Sequence, residues 1–566
     1  MGKGNSYDKE RSYWRGGGAV HRRAMMKGAG FTDSEIKNKP HIGVANTFFE
    51  GSPGTAHLRV LADKVKEGIW AAGGIPIEFG LPATCGNVAN GAVELKYEQA
   101  ARDIVAAGIE MTSKIHKFDG LVTVATCDNI IAGCYLGMAR LDIPTLCVTG
   151  GSMSPGIYKG EKMVQAQLDV AALDGTSEEE LALMEELVCA SCGACPSMGT
   201  ANTMQMTGEV LNLVLPGTGT IPYTDNLKLR KSREAGEAIV KMTLEGRKPS
   251  DLITKETLLN AIAFSMATAA STNIVLHLIA IGNELGIKIT LDDFDDYAKR
   301  MPCILGVIPS GPHTVVDFHY AGGALAVMKN IESKLFTDVP TMDGRTWKDI
   351  LDNLTITNND CIRTLDNPIT EEPGLKILYG NLSPRGAIVR PTGVPKEMKQ
   401  FSGKARIFNN DQDAFAAINE GKIVPGDVIV IRYEGCVGAP GMTELMSSTD
   451  ALLAKGLDKS VGLITDARFS GFNYGAIIGH ITPEAATGGL IALIEEGDII
   501  SADTVKGTIN LEVSEEIIEE RRKNWVRPEP KVKKGLLDFY ARTCRPADEG
   551  GAMQPWDLPW ELEDKE

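Results

Sequence analysis

The stretch Cys189–Met204 reads Cys-Ala-Ser-Cys-Gly-Ala-Cys-Pro-Ser-Met-Gly-Thr-Ala-Asn-Thr-Met, with three cysteines at intervals of three. Thiolates favour zinc, Cu(I) or iron–sulfur clusters, and the Ala, Ser and Gly between them let several sulfurs approach one centre. The same spacing is open to a plainer reading, a buried Cys-rich loop in which free Cys packs as a small hydrophobe. A thioredoxin-like pair is disfavoured, because no strand–Cys-x-x-Cys–helix pattern surrounds the run. A second candidate is Thr126-Cys127-Asp128-Asn129, which directly follows the apolar run Gly120–Ala125. His277 lies in an apolar helical pattern, where a lone His is more often a hydrogen-bonded core residue than a ligand.

The elements that must position these residues alternate. Ile42–Ala45 reads as a strand, Asn46–His57 as a turn-rich loop, and Leu58–Ala72 as a helix with Leu58, Leu61, Val65 and Ile69 on one face. Pro76–Phe79 is extended, Tyr97–Lys117 a long helix, Gly120–Ala125 a buried strand, Cys134–Leu141 helical and Pro144–Val148 a strand. That alternation predicts an α/β domain with a mostly parallel sheet. In such sheets ligands gather at the carboxyl ends of strands, where Cys127 and Asp128 fall.

Residues 1–40, basic and Gly-rich, read as an arm packing on another subunit or domain. Residues 338–373 are the best linker candidate, with Pro340, Pro368 and Pro373. Strands then dominate, at Ala387–Val389, Ala405–Phe408, Asp427–Tyr433 and Val461–Thr465. The division is therefore an N-terminal α/β domain over 1–370 and a C-terminal β-rich domain over 371–566, with a surface tail from Ala547.

Composition bounds the function. The 566 residues carry a formal net charge of −16, which argues against nucleic-acid or anionic-membrane binding and requires a local positive site for any anionic substrate. No run of about 18 apolar residues marks a membrane span. Eleven cysteines without a signal-peptide pattern predict a reduced, cytoplasmic setting.

Longer motifs bring a family into view. They include Cys127-Asp128 with Gly133, Gly150-Gly-Ser-Met-Ser-Pro-Gly156, Cys195 with Met198 and Thr200-Ala-Asn-Thr-Met204, and Pro309-Ser-Gly311 with Ala321-Gly-Gly323. Further on come Gly380-Asn-Leu-Ser-Pro384, Gly426–Gly435, Pro440-Gly-Met442 with Glu444, Leu463-Ile-Thr-Asp466, Arg468-Phe-Ser-Gly471 and Gly479–Ala486. In this order, from about Ile42 to about Ser514, the chain resembles the dihydroxy-acid dehydratase / phosphogluconate dehydratase family, which includes aldonic-acid dehydratases.

The resemblance implies an α/β domain followed by a β-barrel-like domain, assembled as a homodimer or homotetramer. It implies a hydro-lyase that turns a 2,3-dihydroxy carboxylate into a 2-oxo acid with the help of an iron–sulfur cluster. The default activity is that of branched-chain amino-acid synthesis. An aldonic or other hydroxy acid, or a non-catalytic cluster-binding paralogue, are the alternatives. Carried over by position, Cys127 and Cys195 are cluster ligands, Cys192 is nominated as the third, and Cys85 and Cys134 are its alternatives. Gly54, after Pro53, stands where the [2Fe–2S] branch has a further Cys, so [4Fe–4S] is favoured. Ser470 matches the proton-abstracting serine, Asp128 and Glu444 two Mg²⁺ ligands, and Arg390 is a candidate partner for a substrate carboxylate.

Four departures cluster at the same site. Gly86 or Asn87 falls where the family has an Asp, Asn129 replaces a Lys that is carbamylated to bind metal, Cys436 replaces a Pro, and Gly471–Gly475 replaces a Gly-Thr-Ser-type loop. Two lost anionic ligands leave the Mg²⁺ site incomplete.

Overall fold

The computed structural model describes residues 12–356, 359–469 and 471–554. Its first half is built on a four-stranded sheet in the order β2-β1-β3-β4, comprising β1 (His41–Asn46), β2 (Ile75–Gly80), β3 (Gly120–Ala125) and β4 (Thr145–Thr149). All three pairings are parallel, with Ile42 opposite Pro76 and Gly120, and Leu121 opposite Thr145. β1, β3 and β4 are buried on both faces, as the strands of a parallel sheet generally are, while the edge strand β2 is buried only at its start. Ile42, Val44, Val122 and Val124 pack under helices α1 (Leu58–Ala71) and, later in the chain, Leu227–Glu245. Leu121 and Ala125 pack on the other face against α2 (Tyr97–His116) and α3 (Asp128–Leu141).

Helix α3 begins at Asp128, six residues before its sequence-predicted start at Cys134. Only Thr126 and Cys127 separate it from β3, and Cys127 takes a positive φ of 61° to make the turn. A hairpin, β5 (Gly156–Tyr158) and β6 (Glu161–Met163), leads into α4 (Gln165–Leu173). Beyond it lie α5 (Thr200–Val210), α6 (the helix Leu227–Glu245), α7 (Lys255–Thr268) and α8 (Asn273–Glu284). The pattern predicted one helical run from Lys255 to Gly286. It is broken at Ala269, whose φ of 47° is left-handed and whose carbonyl accepts from Arg390 (3.1 Å).

The second half is an eight-stranded mixed sheet in the order β14-β13-β9-β10-β11-β12-β8-β7. Its strands are β7 (Lys376–Leu378), β8 (Gly386–Val389), β9 (Gln400–Phe408), β10 (Asp427–Ile431), β11 (Gly462–Thr465), β12 (Ala476–Thr482), β13 (Ile499–Asp503) and β14 (Thr508–Leu511). The two ends meet: Tyr379 bridges Thr508, donating its N–H to Gly507 O (3.0 Å) and accepting from Ile509 N (3.0 Å). The sheet therefore nearly closes on itself as a barrel. In β10, Val428 and Val430 fill the interior while Ile429 and Ile431 face outward under the helices Asp411–Asn419 and α9 (Met446–Ala454).

Two expectations are corrected. Residues 338–373 do not form a free linker: Trp347 is fully buried in the first half's core, and Leu305 pairs with Ile362 and Cys303 with Thr370. The segment from Ala547 is no surface tail as far as Gln554. Arg102 on α2 donates to Gly550 O (3.1 Å) and Gly551 O (2.7 Å), and Met553 N donates to Asp103 Oδ1 (2.9 Å). His277 on α8 meets the same guanidinium through Nδ1 (3.3 Å), so it is a core histidine.

Arg102 and Asp103, both nine-tenths or more buried, neutralise each other at 3.2 Å. Arg102→Met leaves Asp103 in the interior without its cation, and it should cost about 3–5 kcal/mol. A calorimetric unfolding midpoint unchanged from wild type would refute this role for the tie.

Candidate active site

The loops leaving the carboxyl ends of all four parallel strands converge on one cavity. The loop after β1 carries Ser52, Pro53 and Gly54, the loop after β2 carries Cys85, Gly86 and Asn87, and β3 delivers Cys127 and Asp128. The loop after β4 is stitched to the cysteine-rich segment. Met153 N donates to Ala194 O (2.8 Å), Ala194 N to Gly151 O (2.9 Å), and Gly193 N to Pro53 O (2.9 Å). Asn202 on α5 fixes the exit of that segment by donating to Cys195 O (2.6 Å) and Ser197 O (2.9 Å). Gly150 is needed where two of these loops touch, since a Cβ there would lie 1.7 Å from Thr126 Oγ1.

The cavity encloses ≈ 100 Å³ and is lined by Cys85, Cys127 and Cys195, by Glu98, Asp128 and Asp169, and by Glu444, Met446, Gly471 and Phe472 from the second half. The three thiols come from three separate loops. Cys127 hydrogen-bonds to the Cys85 thiol. That bond, with Ser52 and the N–H groups of Asn87 and Val88, lowers the Cys85 pKa to about 6. The Cys127 thiol is pushed up by the same bond and by burial. Burial, then the Cys85 charge, takes Cys195 up to about 12, while Asn87 Nδ2 donates to its sulfur at 3.2 Å.

Cys192 and Cys134, the other cysteines considered for the third position, are not on this wall. Cys192 sits half-buried in its loop, and Cys134 is fully buried in the apolar core beneath α3.

Beside the thiols, three carboxylates share one cation. Glu98 comes from α2, Asp128 from the start of α3 and Glu444 from the second half. The Arg468 guanidinium is 3.5 Å from Glu98 and 4.0 Å from Asp128, with no exposed surface. Glu444 and Arg468 are held in register by Leu445 N donating to Arg468 O (3.0 Å) and Arg468 N to Thr443 O (3.1 Å). Asn273 Nδ2 donates to Glu444 Oε1 (2.8 Å) and to Thr200 Oγ1 (2.8 Å). Burial and the charges of Asp128 and Glu444 raise the Glu98 pKa well above the carboxylate range. Burial, then Glu444, takes Asp128 up to about 7.

Glu98 was not singled out in the sequence, where it reads as the first turn of a long helix. Its signal was Gly86: a Cβ at that position would meet Glu98 Oε1 at 2.4 Å, so the carboxylate fills the space of the missing side chain.

These carboxylates do not form the cage a hard cation needs. They are met by a guanidinium and an amide, Gly86 adds no anion, and Asn129 donates to Asp128 (2.9 Å) rather than joining as an anionic ligand. Among the described residues, no group of three or more His, Cys, Asp or Glu is arranged around a single metal ion.

Of the other sequence candidates, Ser470 lies outside the described residues; Gly471 and Phe472 after it line the cavity. Arg390 is neither a surface residue nor on the cavity wall. It is 1 % exposed and donates to Gly471 O, Ala269 O (3.1 Å) and Ser310 Oγ (2.8 Å), so it supports the Gly471 loop from behind. Among the described residues, no helix is long and apolar enough to cross a membrane.

Comparison with known proteins gives matches along almost the whole chain. The family model for the dihydroxy-acid/6-phosphogluconate dehydratase N-terminal region matches residues 39–350, and that for the C-terminal region matches residues 360–551. Proteins named dihydroxy-acid dehydratase from Methanococcus maripaludis (strain C5) and Caldanaerobacter subterraneus are 43% identical, over 94% of this chain and 97% of theirs. One from Pyrococcus abyssi is 42% identical over the same shares.

The Asp128 pKa is raised by folding. The stability it contributes is therefore complete below about pH 4 and is lost as pH rises through about 7. The unfolding midpoint of the apoprotein should fall from about pH 6 to about pH 8, and Asp128→Asn should flatten that fall. Parallel curves for the two proteins would refute the assignment.

Proposed function

The chain belongs to the dihydroxy-acid/6-phosphogluconate dehydratase family and is a hydro-lyase, and on that premise we propose that it dehydrates a small branched 2,3-dihydroxy carboxylate to a 2-oxo acid in branched-chain amino-acid synthesis. The observation that carries this reading is a cavity lined together by three soft thiols and several carboxyl groups. The apolar side chains of Met446 and Phe472 close it. An apolar wall suits an alkyl-branched substrate better than a polyhydroxy aldonate, whose hydroxyls would lose hydration there without new partners.

The donor set fits an iron–sulfur cluster, because three thiols, the ligands such clusters take, line the one cavity. Cys127 and Cys195, with a third thiol, would hold it, in its [4Fe–4S] form. When bound, the cluster supplies a Lewis acid that assists departure of the C3 hydroxyl. No step is assigned to Mg²⁺, since Asp128, Glu444 and their neighbours are already met by Arg468 and Asn273.

The remaining work falls to side chains of this chain. Gly199, Thr200, Ala201 and Asn202 at the start of α5 face the cavity, and the positive end of a helix is a docking point for a substrate carboxylate. The raised pKa values of Glu98 and Asp128 keep protons on neighbouring carboxyls near neutral pH, which lessens their repulsion of an anionic substrate. Ser470, as its alkoxide, takes the C2 proton while the C3–O bond breaks and hydroxide leaves, and the enol formed tautomerises to the 2-oxo acid; on either side of it Arg390 holds the Gly471 carbonyl and the Arg468 backbone pairs with Thr443 and Leu445. The protein works as a cytoplasmic homodimer or homotetramer.

Anaerobically reconstituted protein should form 2-oxo acid from 2,3-dihydroxyisovalerate and not from gluconate, xylonate or arabinonate. Turnover of the aldonates alone, or of nothing despite a bound cluster, would overturn the reading. Ser470→Ala should lose at least about 100-fold in kcat with unchanged cluster absorbance. Retained activity would remove Ser470 from the mechanism.

A further inference from the structure

We propose that Cys85 is the third thiolate of the cluster, taking the place that the sequence motif gave to Cys192. The inference rests on the reading that this cavity holds an iron–sulfur cluster, and it concerns which loop supplies the last ligand.

The geometry separates the candidates. Cys85 stands in the first turn after β2 and lines the cavity with Cys127 and Cys195, whereas Cys192, Cys189 and Cys134 do not. Its thiol meets the Cys127 thiol and the Ser52 hydroxyl, so it lies where the loops after β1, β2 and β3 touch. Each of the three thiols is then presented by a different loop on the carboxyl edge of the sheet.

Two glycines make the placement possible. A Cβ at Gly54 would lie 2.1 Å from Cys127 Sγ, so the loop after β1 has no room for a side chain, still less a fourth thiol, beside Cys127. That space is filled by sulfur reaching in from elsewhere. At Gly86 a Cβ would lie 2.4 Å from Glu98 Oε1. Any larger residue there would push the Cys85 loop away from α2, or displace Glu98. The turn itself is closed by Val88 N donating to Cys85 O (3.1 Å), and it brings Asn87 to the Cys195 sulfur. Cys85, Gly86 and Asn87 therefore act as one unit in which a thiol, a space and an amide all serve the same wall.

Cys192 is occupied otherwise. It lies between Ser191, whose hydroxyl donates to the Cys192 carbonyl (3.0 Å), and Gly193, whose N–H is tied to Pro53 O. Its backbone thus lies in the segment that presents Cys195, and it is not among the residues that line the cavity.

The test uses wild-type holoprotein first. Under anaerobic conditions it is alkylated with iodoacetamide before and after removal of iron by a chelator, and labelled cysteines are read by mass spectrometry. Cys85, Cys127 and Cys195 should be protected until iron is removed, and Cys192 should label equally in both states. Cys85→Ser should then lose most of its iron, acid-labile sulfide and visible absorbance after reconstitution, while Cys192→Ser keeps the wild-type content. Cys85 that labels freely in the iron-loaded protein, or a Cys85→Ser protein with full iron content, would overturn the proposal and leave the cluster reading standing. Wild-type protein that takes up no iron or sulfide would overturn that reading, and the proposal with it.

Discussion

A guanidinium with no exposed surface stands among three carboxylates where the two halves of the molecule meet. Arg468 belongs to the barrel half, as does Glu444, whereas Glu98 and Asp128 belong to the parallel-sheet half. Buried charge is tolerated only when it is paired and hydrogen-bonded. Here each partner lies on an element that the other half must hold in place. The position of the barrel on the sheet domain is therefore linked to the charge balance of the cavity, and the cavity exists only where both halves are present. Arg468 also donates through Nε to Met442 O (2.9 Å), which fixes the loop that carries Glu444.

The thiol wall obeys a different constraint. Its loops approach so closely that a Cβ at Gly54, Gly86 or Gly150 would run into the Cys127, Glu98 or Thr126 side chain, and one at Gly193 into the backbone of Ser152 and Met153. The loops after four parallel strands are thereby compressed against one another. The result is a small enclosed space with polar groups from many loops, as open parallel sheets provide at their carboxyl edge. Sulfur comes from the sheet edge, and carboxyl oxygen comes from the α2 and α3 starts together with the barrel.

Much of this was legible before folding. The alternation of strand and helix, the apolar runs of β1, β3 and β10, and the switch to strands past Tyr379 specify the two sheets, because hydrophobic periodicity and burial act locally along the chain. Cys127-Asp128 at a strand end was likewise readable as a site, since topology alone places such a residue at the ligand-binding edge. Errors arose where packing overrode pattern. The polar, Pro-containing stretch 338–373 hides a core tryptophan, and the tail from Ala547 is drawn in by Arg102. The Lys255–Gly286 helix breaks at a left-handed Ala269, which nothing in its composition announces.

By itself the sequence determined the fold class and the succession of a parallel-sheet half and a barrel-like half. Those depend on periodicity and on long ordered motifs. Only the tertiary structure decided which cysteine stands with Cys127 and Cys195, that Glu98 fills the space left by Gly86, and that Arg390 supports the site from behind. These depend on distances between residues tens to hundreds of positions apart. Such distances are fixed by how loops pack, at a precision of tenths of an ångström, and no local pattern encodes them.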